Sequence, residues 1–115
     1  MGQRQVLSGY SLLLPDPVVP HLNVLAPPLR DRFLCDLGRL GQAVLVATGA
    51  LRINYAIFGN LEPALHAHVH PRYLEEPDAL RSDNPWAYDW TQSPAFDLEK
   101  HGALRDAISA QLLRE

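Results

Sequence analysis

The sequence predicts an α+β domain: a small antiparallel sheet with one long helix packed across it and a second helix at the C-terminal end. Three observations lead there. Apolar residues recur at helical spacing between Leu29 and Thr48, introduced by Pro27-Pro28 and closed by Gly49. Three short stretches of strand character, residues 10–14, 52–57 and 64–70, are separated by proline, glycine and asparagine. An amphipathic stretch follows Ser93-Pro94. With 115 residues, 47% hydrophobic and 20% charged, the chain has the composition of one globular domain, read as residues 1–115.

The first strand enters at Gly9 and is ended by Pro15; Pro17 and Pro20 then forbid regular ladder pairing, so an irregular segment follows. In the long helix Leu29, Phe33, Leu37, Leu40 and Val44 fall on one face, with Arg30, Asp36, Arg39 and Gln42 on the other. Gly38 and Gly41 cost about 1 kcal/mol each in a helix interior, which close packing against a sheet explains. Residues 52–57, RINYAI, form the second strand; Phe58-Gly59-Asn60 is a turn, and Glu62-Pro63 leads to the third. Residues 71–95, with four prolines and two tryptophans, read as loop. Ser93-Pro94 is expected to cap the final helix, whose inner face is Leu98, Leu104, Ala107, Ile108, Gln111 and Leu112.

Several function classes are excluded early. Ten basic against thirteen acidic residues give a net charge of −3 with no basic run, so a nucleic-acid polymer is not an expected partner. No apolar stretch is long enough for a membrane span or a secretory signal, and the expected location is the cytoplasm. The single cysteine, Cys35, rules out a disulfide framework and any site built from several cysteines; it reads as an ordinary helix residue.

The informative segment is the third strand. Three of the five histidines lie within five residues, His66-Ala67-His68-Val69-His70. On a strand, alternate side chains share a face, so the imidazoles stand in a row about 6 to 7 Å apart at Cα. Leu65, Ala67 and Val69 turn to the core. A solvated face that happens to be rich in histidine is the bland reading. A metal site is a second: His68-x-His70 followed by Glu75 matches the spacing of cupin metal ligands. A cupin needs many short strands, however, and the glycines that flank such a motif are missing. Phosphate chemistry is the third, because a neutral imidazole is a good nucleophile near pH 7 and its neighbours can donate to phosphate oxygens.

HAHVHPRY, preceded by RINYAIFGN, resembles the histidine triad family of nucleotide-binding proteins and hydrolases, whose motif is H-x-H-x-H with apolar residues between. GYSLLLP is similar to that family's Gly-aromatic-apolar strand ending in proline, and PVVPHLNVL to the connection into its long helix. GN before the triad, PR after it and the tryptophan-containing tail resemble a bacterial branch. The resemblance spans roughly residues 6–90 and implies a further strand ahead of GYSLLLP; residues 3–6 are the candidate for it, and otherwise that strand is missing.

The resemblance also implies an activity: hydrolysis or transfer at the α-phosphate of a nucleotide conjugate through a covalent nucleotidyl-histidine, without cofactor or metal. By resemblance the middle histidine, His68, attacks, its other ring nitrogen donating to the His66 carbonyl. His70 contacts the phosphate and His66 supports the constellation. Asn60, Asn54, Arg72 and His21 are candidate substrate contacts. Trp86 and Trp90 either wall the site or simply pack. The implied partners are a nucleotide-type small molecule and a second copy of the chain in a homodimer. The alternative on the same fold is a non-catalytic nucleotide-binding or interaction module.

Overall fold

The computed structural model describes residues 1–61 and 63–114; Glu62, read as part of the lead into the third strand, and the terminal Glu115 lie outside them. Strand β1 (Ser11–Leu13), helix α1 (Pro27–Thr48), strands β2 (Arg52–Ile57) and β3 (Ala67–Arg72), a short helix α2 (Asp78–Arg81) and helix α3 (Leu98–Arg114) follow in order. The sheet is antiparallel, in the order β1-β3-β2, with Ser11 opposite Val69 and Asn54 opposite His70.

Helix α1 begins two residues earlier than the periodicity indicates. Both Pro27 and Pro28 fit its first turn, where a missing N–H costs nothing. Gly49 closes it in the left-handed conformation, φ 67°, its N–H donating to the Leu45 carbonyl. Phe33, Leu37, Leu40 and Val44 are buried against Leu65, Ala67 and Val69, and Ile108 of α3 joins this core. Leu29 is exposed in the first turn of α1, and Leu98 is exposed at the start of α3. The two helix glycines divide. A Cβ on Gly41 would lie 2.0 Å from the Tyr55 hydroxyl of β2, so this glycine does serve close packing, whereas a Cβ on Gly38 would meet nothing within 4 Å.

Strand β3 starts later than residue 64 and runs through Pro71 to Arg72. A proline is tolerated there because β1 pairs only with residues 67–69, so at Pro71 that side of the strand asks for no ladder donor. Residues 3–6 add no strand to the sheet. Instead Arg4 forms an isolated bridge with Ala95, the Gln5 amide donates to the Pro94 carbonyl and the Phe96 amide to the Gln3 carbonyl. Gln5, buried, ties this segment down by donating to the Gly2 and Tyr10 carbonyls and accepting from the Gly9 amide. The final helix is not capped by Ser93-Pro94. The Asp97 carboxylate accepts from the Glu99 amide, and His101 Nδ1 accepts from the Asp97 amide, so the helix starts five residues after Ser93.

A three-stranded sheet crossed by a long helix leaves no room for the cupin alternative. Among the described residues no group of three His, Cys, Asp or Glu is arranged to hold a metal ion. No helix among them is long and apolar enough to cross a membrane.

Candidate functional site

The period of two along β3 puts His68, His70 and Arg72 on the face opposite the core, and the three meet different fates. A cavity of about 780 Å³ opens on this face, with His66, His68 and His70 lining it beside Asn54, Asn60 and Asn84. Phe58 and Trp86 stand as aromatic walls, their ring centroids 5.1 Å apart and edge to face. No charged side chain is among the described residues that line it.

His66 lies just ahead of β3, half-buried, and its Nδ1 is 2.8 Å from the Ala64 carbonyl oxygen. A carbonyl only accepts, so Nδ1 carries a hydrogen. His68 is also half-buried, with its ring centroid 4.9 Å from that of His66 and edge to face with it. Its Nδ1 does not meet the His66 carbonyl, as the sequence resemblance implies, but the Tyr10 hydroxyl at 2.7 Å. The reason is the register of β1: Tyr10 sits opposite His70, one step from Ser11–Val69, and its ring reaches along the sheet face to His68. Burial, and then the neighbouring His66, lower the His68 pKa below the ordinary imidazole value, so His68 is neutral at pH 7.

His70 is not open to a ligand in the way expected of a phosphate contact. It is fully buried, its ring parallel to that of Tyr10 at 4.2 Å, with Trp86 and Trp90 edge-on at 5.1 and 5.8 Å. Burial first, then His68 and Arg72, push its pKa down to about 3. It forms the floor of the cavity. The tryptophans therefore do both things foreseen for them: Trp86 walls the cavity, and Trp90 packs behind it.

Arg72 is turned away from the cavity and buried. Its guanidinium donates to both Glu76 carboxylate oxygens at 2.9 to 3.2 Å, to Asn54 Oδ1 at 2.7 Å, and to the carbonyls of Asp83 and Leu80. Glu76 in turn accepts from the Tyr88 hydroxyl at 2.6 Å and the Tyr73 amide at 2.6 Å. Burial works against the Glu76 carboxylate, but the bonds from Arg72, Tyr88 and Tyr73 outweigh it and hold its pKa below the usual carboxylate value. Arg72 is thus a clamp for the loop that carries Asn84 and Trp86, not a phosphate contact. Asn54 borders the cavity but gives its carbonyl oxygen to this clamp. Asn60 lines the cavity, while His21 is exposed ahead of a short 3₁₀ turn and is not among the lining residues. His101 is buried and caps α3.

Tyr10, Phe58 and Asn84 have site positions that the sequence reading did not assign. Phe58 was legible as an exposed aromatic beside the triad; Tyr10 and Asn84 depend on register and loop path, which no motif carries.

No family model matches the chain, and no curated protein matches it. Solved structures do. A histidine triad protein from Bradyrhizobium japonicum shares the architecture with a TM-score of 0.82 over 96% of this chain and 79% of that one, at 21% identity. A histidine triad protein from Sinorhizobium meliloti gives 0.77 over 89% and 73%, also at 21% identity. A hypothetical histidine triad nucleotide-binding protein from Sulfolobus tokodaii gives 0.76 over 99% and 76%, at 16% identity. The chain has the fold of these histidine triad proteins.

Proposed function

We propose that the protein is a nucleotide hydrolase or nucleotidyl transferase that acts at the α-phosphate of a nucleotide conjugate through a covalent nucleotidyl-histidine. The observation that carries this reading is the pair His66 and His68, side by side at the wall of an aromatic-lined cavity. His68 is the attacking group: burial and then the neighbouring His66 lower its pKa, so that its ring is neutral at pH 7, and His66 supports it.

In the first step a ring-nitrogen lone pair of His68 forms a P–N bond and the bond from phosphorus to the leaving group breaks, the leaving group taking up a proton. Water then attacks the same phosphorus, loses its proton, and the P–N bond breaks to release the nucleoside monophosphate and restore the imidazole. With no cation among the described residues of the lining, the developing charge is met by imidazole N–H, asparagine amide and backbone N–H groups. Phe58 and Trp86 offer flat faces to a nucleobase, whose stacking is worth about 1 to 3 kcal/mol. The exposed edge strand β2, with Tyr55 and Ile57 exposed on it, supports pairing of two copies, which sedimentation velocity tests.

The test is rapid-quench intact-mass analysis with an adenosine phosphoramidate and, separately, a dinucleoside polyphosphate. An adduct of one nucleoside monophosphate is expected on the wild type and none on His68→Ala. An adduct that survives His68→Ala and vanishes in His66→Ala moves the attack to His66. Neither adduct nor product, from folded protein that binds nucleotide, leaves the non-catalytic binding module.

A further inference from the structure

We propose that Asn54 and Asn84 are a pair of amide donors for the phosphate oxygens of the ligand, aimed into the cavity by the bonds behind them. The ligand rests on the reading above; the aim of the two amides follows from their partners alone.

A side-chain amide has one accepting and one donating end, so the partner of one end fixes where the other points. Arg72 Nη1 lies 2.7 Å from the Asn54 side chain, and a guanidinium only donates, so the atom that faces it is Oδ1. The Trp86 amide lies 2.9 Å from the Asn84 side chain and likewise only donates. Each Oδ1 is therefore engaged, and each Nδ2 keeps two hydrogens to give. Arg72 lines a second, smaller cavity of about 360 Å³ that also touches Asn54. The Asn54 oxygen faces that side, and its nitrogen is left to the first cavity. Asn84 is exposed and the Asn54 amide is not sealed in, so both open on the cavity that the two residues line.

One guanidinium places both. The same Nη1 that holds the Asn54 oxygen donates to the carbonyl of Asp83, the residue before Asn84. Strand β2 and the loop that carries Asn84 thus meet at a single nitrogen. Arg72 is itself fixed by both Glu76 carboxylate oxygens, which also balance its charge. What reaches the cavity is then two neutral amides rather than a cation, the Asn54 amide polarised by the guanidinium bonded to it.

Place decides the ligand. Asn54 stands opposite His70 in the β2–β3 register, and the His70 ring centroid is 6.0 Å from that of His68. The part of a ligand nearest the pair is therefore the part that His68 attacks, its phosphate. His70 is fully buried and cannot reach a ligand, so the amides supply the donors that this stretch of the floor lacks. Donors turned outward with their oxygens engaged match phosphate oxygens, which accept, and offer nothing to a cation.

Asparagine to aspartate is the matching substitution. It keeps the oxygen that accepts from Arg72 or Trp86 and exchanges the donating NH2 for an oxygen. The experiment is isothermal titration calorimetry of adenosine and of adenosine monophosphate into wild type, Asn84→Asp and Asn54→Asp. Ser82→Asp, exposed and outside the main cavity, adds the same charge two residues from Asn84 as the control. The wild type is expected to bind the monophosphate about ten- to a hundredfold more tightly than adenosine, the worth of one charge-assisted hydrogen bond. Either asparagine variant is expected to lose most of that preference with adenosine affinity unchanged, while Ser82→Asp retains it. Asn84→Asp still caps its turn on the surface, so it stays folded even where Asn54→Asp does not. A preference absent from the wild type, retained in Asn84→Asp, or lost equally in Ser82→Asp overturns the assignment. Binding is read without turnover. A preference that Asn84→Asp removes, in a protein that forms no adduct, upholds the amide pair and overturns the catalytic reading alone. An adduct on the wild type with the preference intact in Asn84→Asp does the reverse.

Discussion

Acidification should destabilise this protein, and most of all through His70. Its ring has 0% exposure, and neither ring nitrogen has a hydrogen-bond partner among the described residues. A proton added there would place a charge among three aromatic rings beside the buried Arg72 guanidinium. The folded-state pKa is pushed from 6.5 to about 3, by burial first and then by His68 and Arg72. Between those two values the unfolded chain binds more protons than the folded one, so stability rises with pH in that window. The contribution is nearly complete at pH 7 and drains as the pH falls from 6.5 toward 3. The full span is worth about 5 kcal/mol, of which about 2 kcal/mol is lost between pH 7 and pH 5. His70→Phe removes the titration while keeping a flat ring between Tyr10 and the tryptophans. Urea unfolding of both proteins at the two pH values, followed by tryptophan fluorescence, isolates the effect. Any overpacking by the slightly larger ring is present at both pH values and cancels in the difference, and the lowered pKa of His68 is common to both proteins. The wild type is expected to lose about 2 kcal/mol more than the variant on going to pH 5. Equal losses would falsify the view that His70 is buried neutral at the cost of acid stability.

The Arg72–Glu76 clamp predicts a second large effect. Arg72→Ala strands the Glu76 carboxylate in a buried site and should cost about 3 to 5 kcal/mol in urea unfolding; Arg72→Lys, which keeps the charge but not the fork, should recover only part of it. If the clamp sets the loop, Trp86 fluorescence in the still-folded Arg72→Lys protein shifts to the red. The two glycines of α1 predict opposite signs for one substitution. Gly41→Ala drives a methyl into the Tyr55 hydroxyl and should destabilise by about 1 to 3 kcal/mol, whereas Gly38→Ala meets open space and should stabilise by about 0.5 to 1 kcal/mol. Thermal melts of both variants decide this, and two shifts of the same sign refute the packing argument.

The same two glycines mark how far the sequence could be read. Periodicity announces that a helix runs from Leu29 to Thr48, and the αL glycine announces where it stops. Which glycine faces a tyrosine depends on how that helix crosses β2, which is a property of the assembled core. The strands were legible for the same reason: RINYAI carries its own composition, and its bounds agree with the observed β2. The start of α3 was not, because a histidine four residues away can accept from the Asp97 amide as well as a serine cap could have done elsewhere.

The histidine row was legible as a row, and alternation put the three rings on one face. Alternation is silent on what lies over that face. His66 precedes the paired part of β3, so a local bond to Ala64 orients it rather than the pleat. His70 is closed over by Tyr10, Trp86 and Trp90, which lie 60 residues upstream and 16 and 20 downstream in the chain. Arg72, which follows the motif as a phosphate ligand would, is taken by a carboxylate one helical step further on. Each role in the row is therefore assigned by a partner outside it. A carbonyl orients one histidine, a tyrosine hydroxyl holds the next, and a cage of rings makes the third a neutral floor.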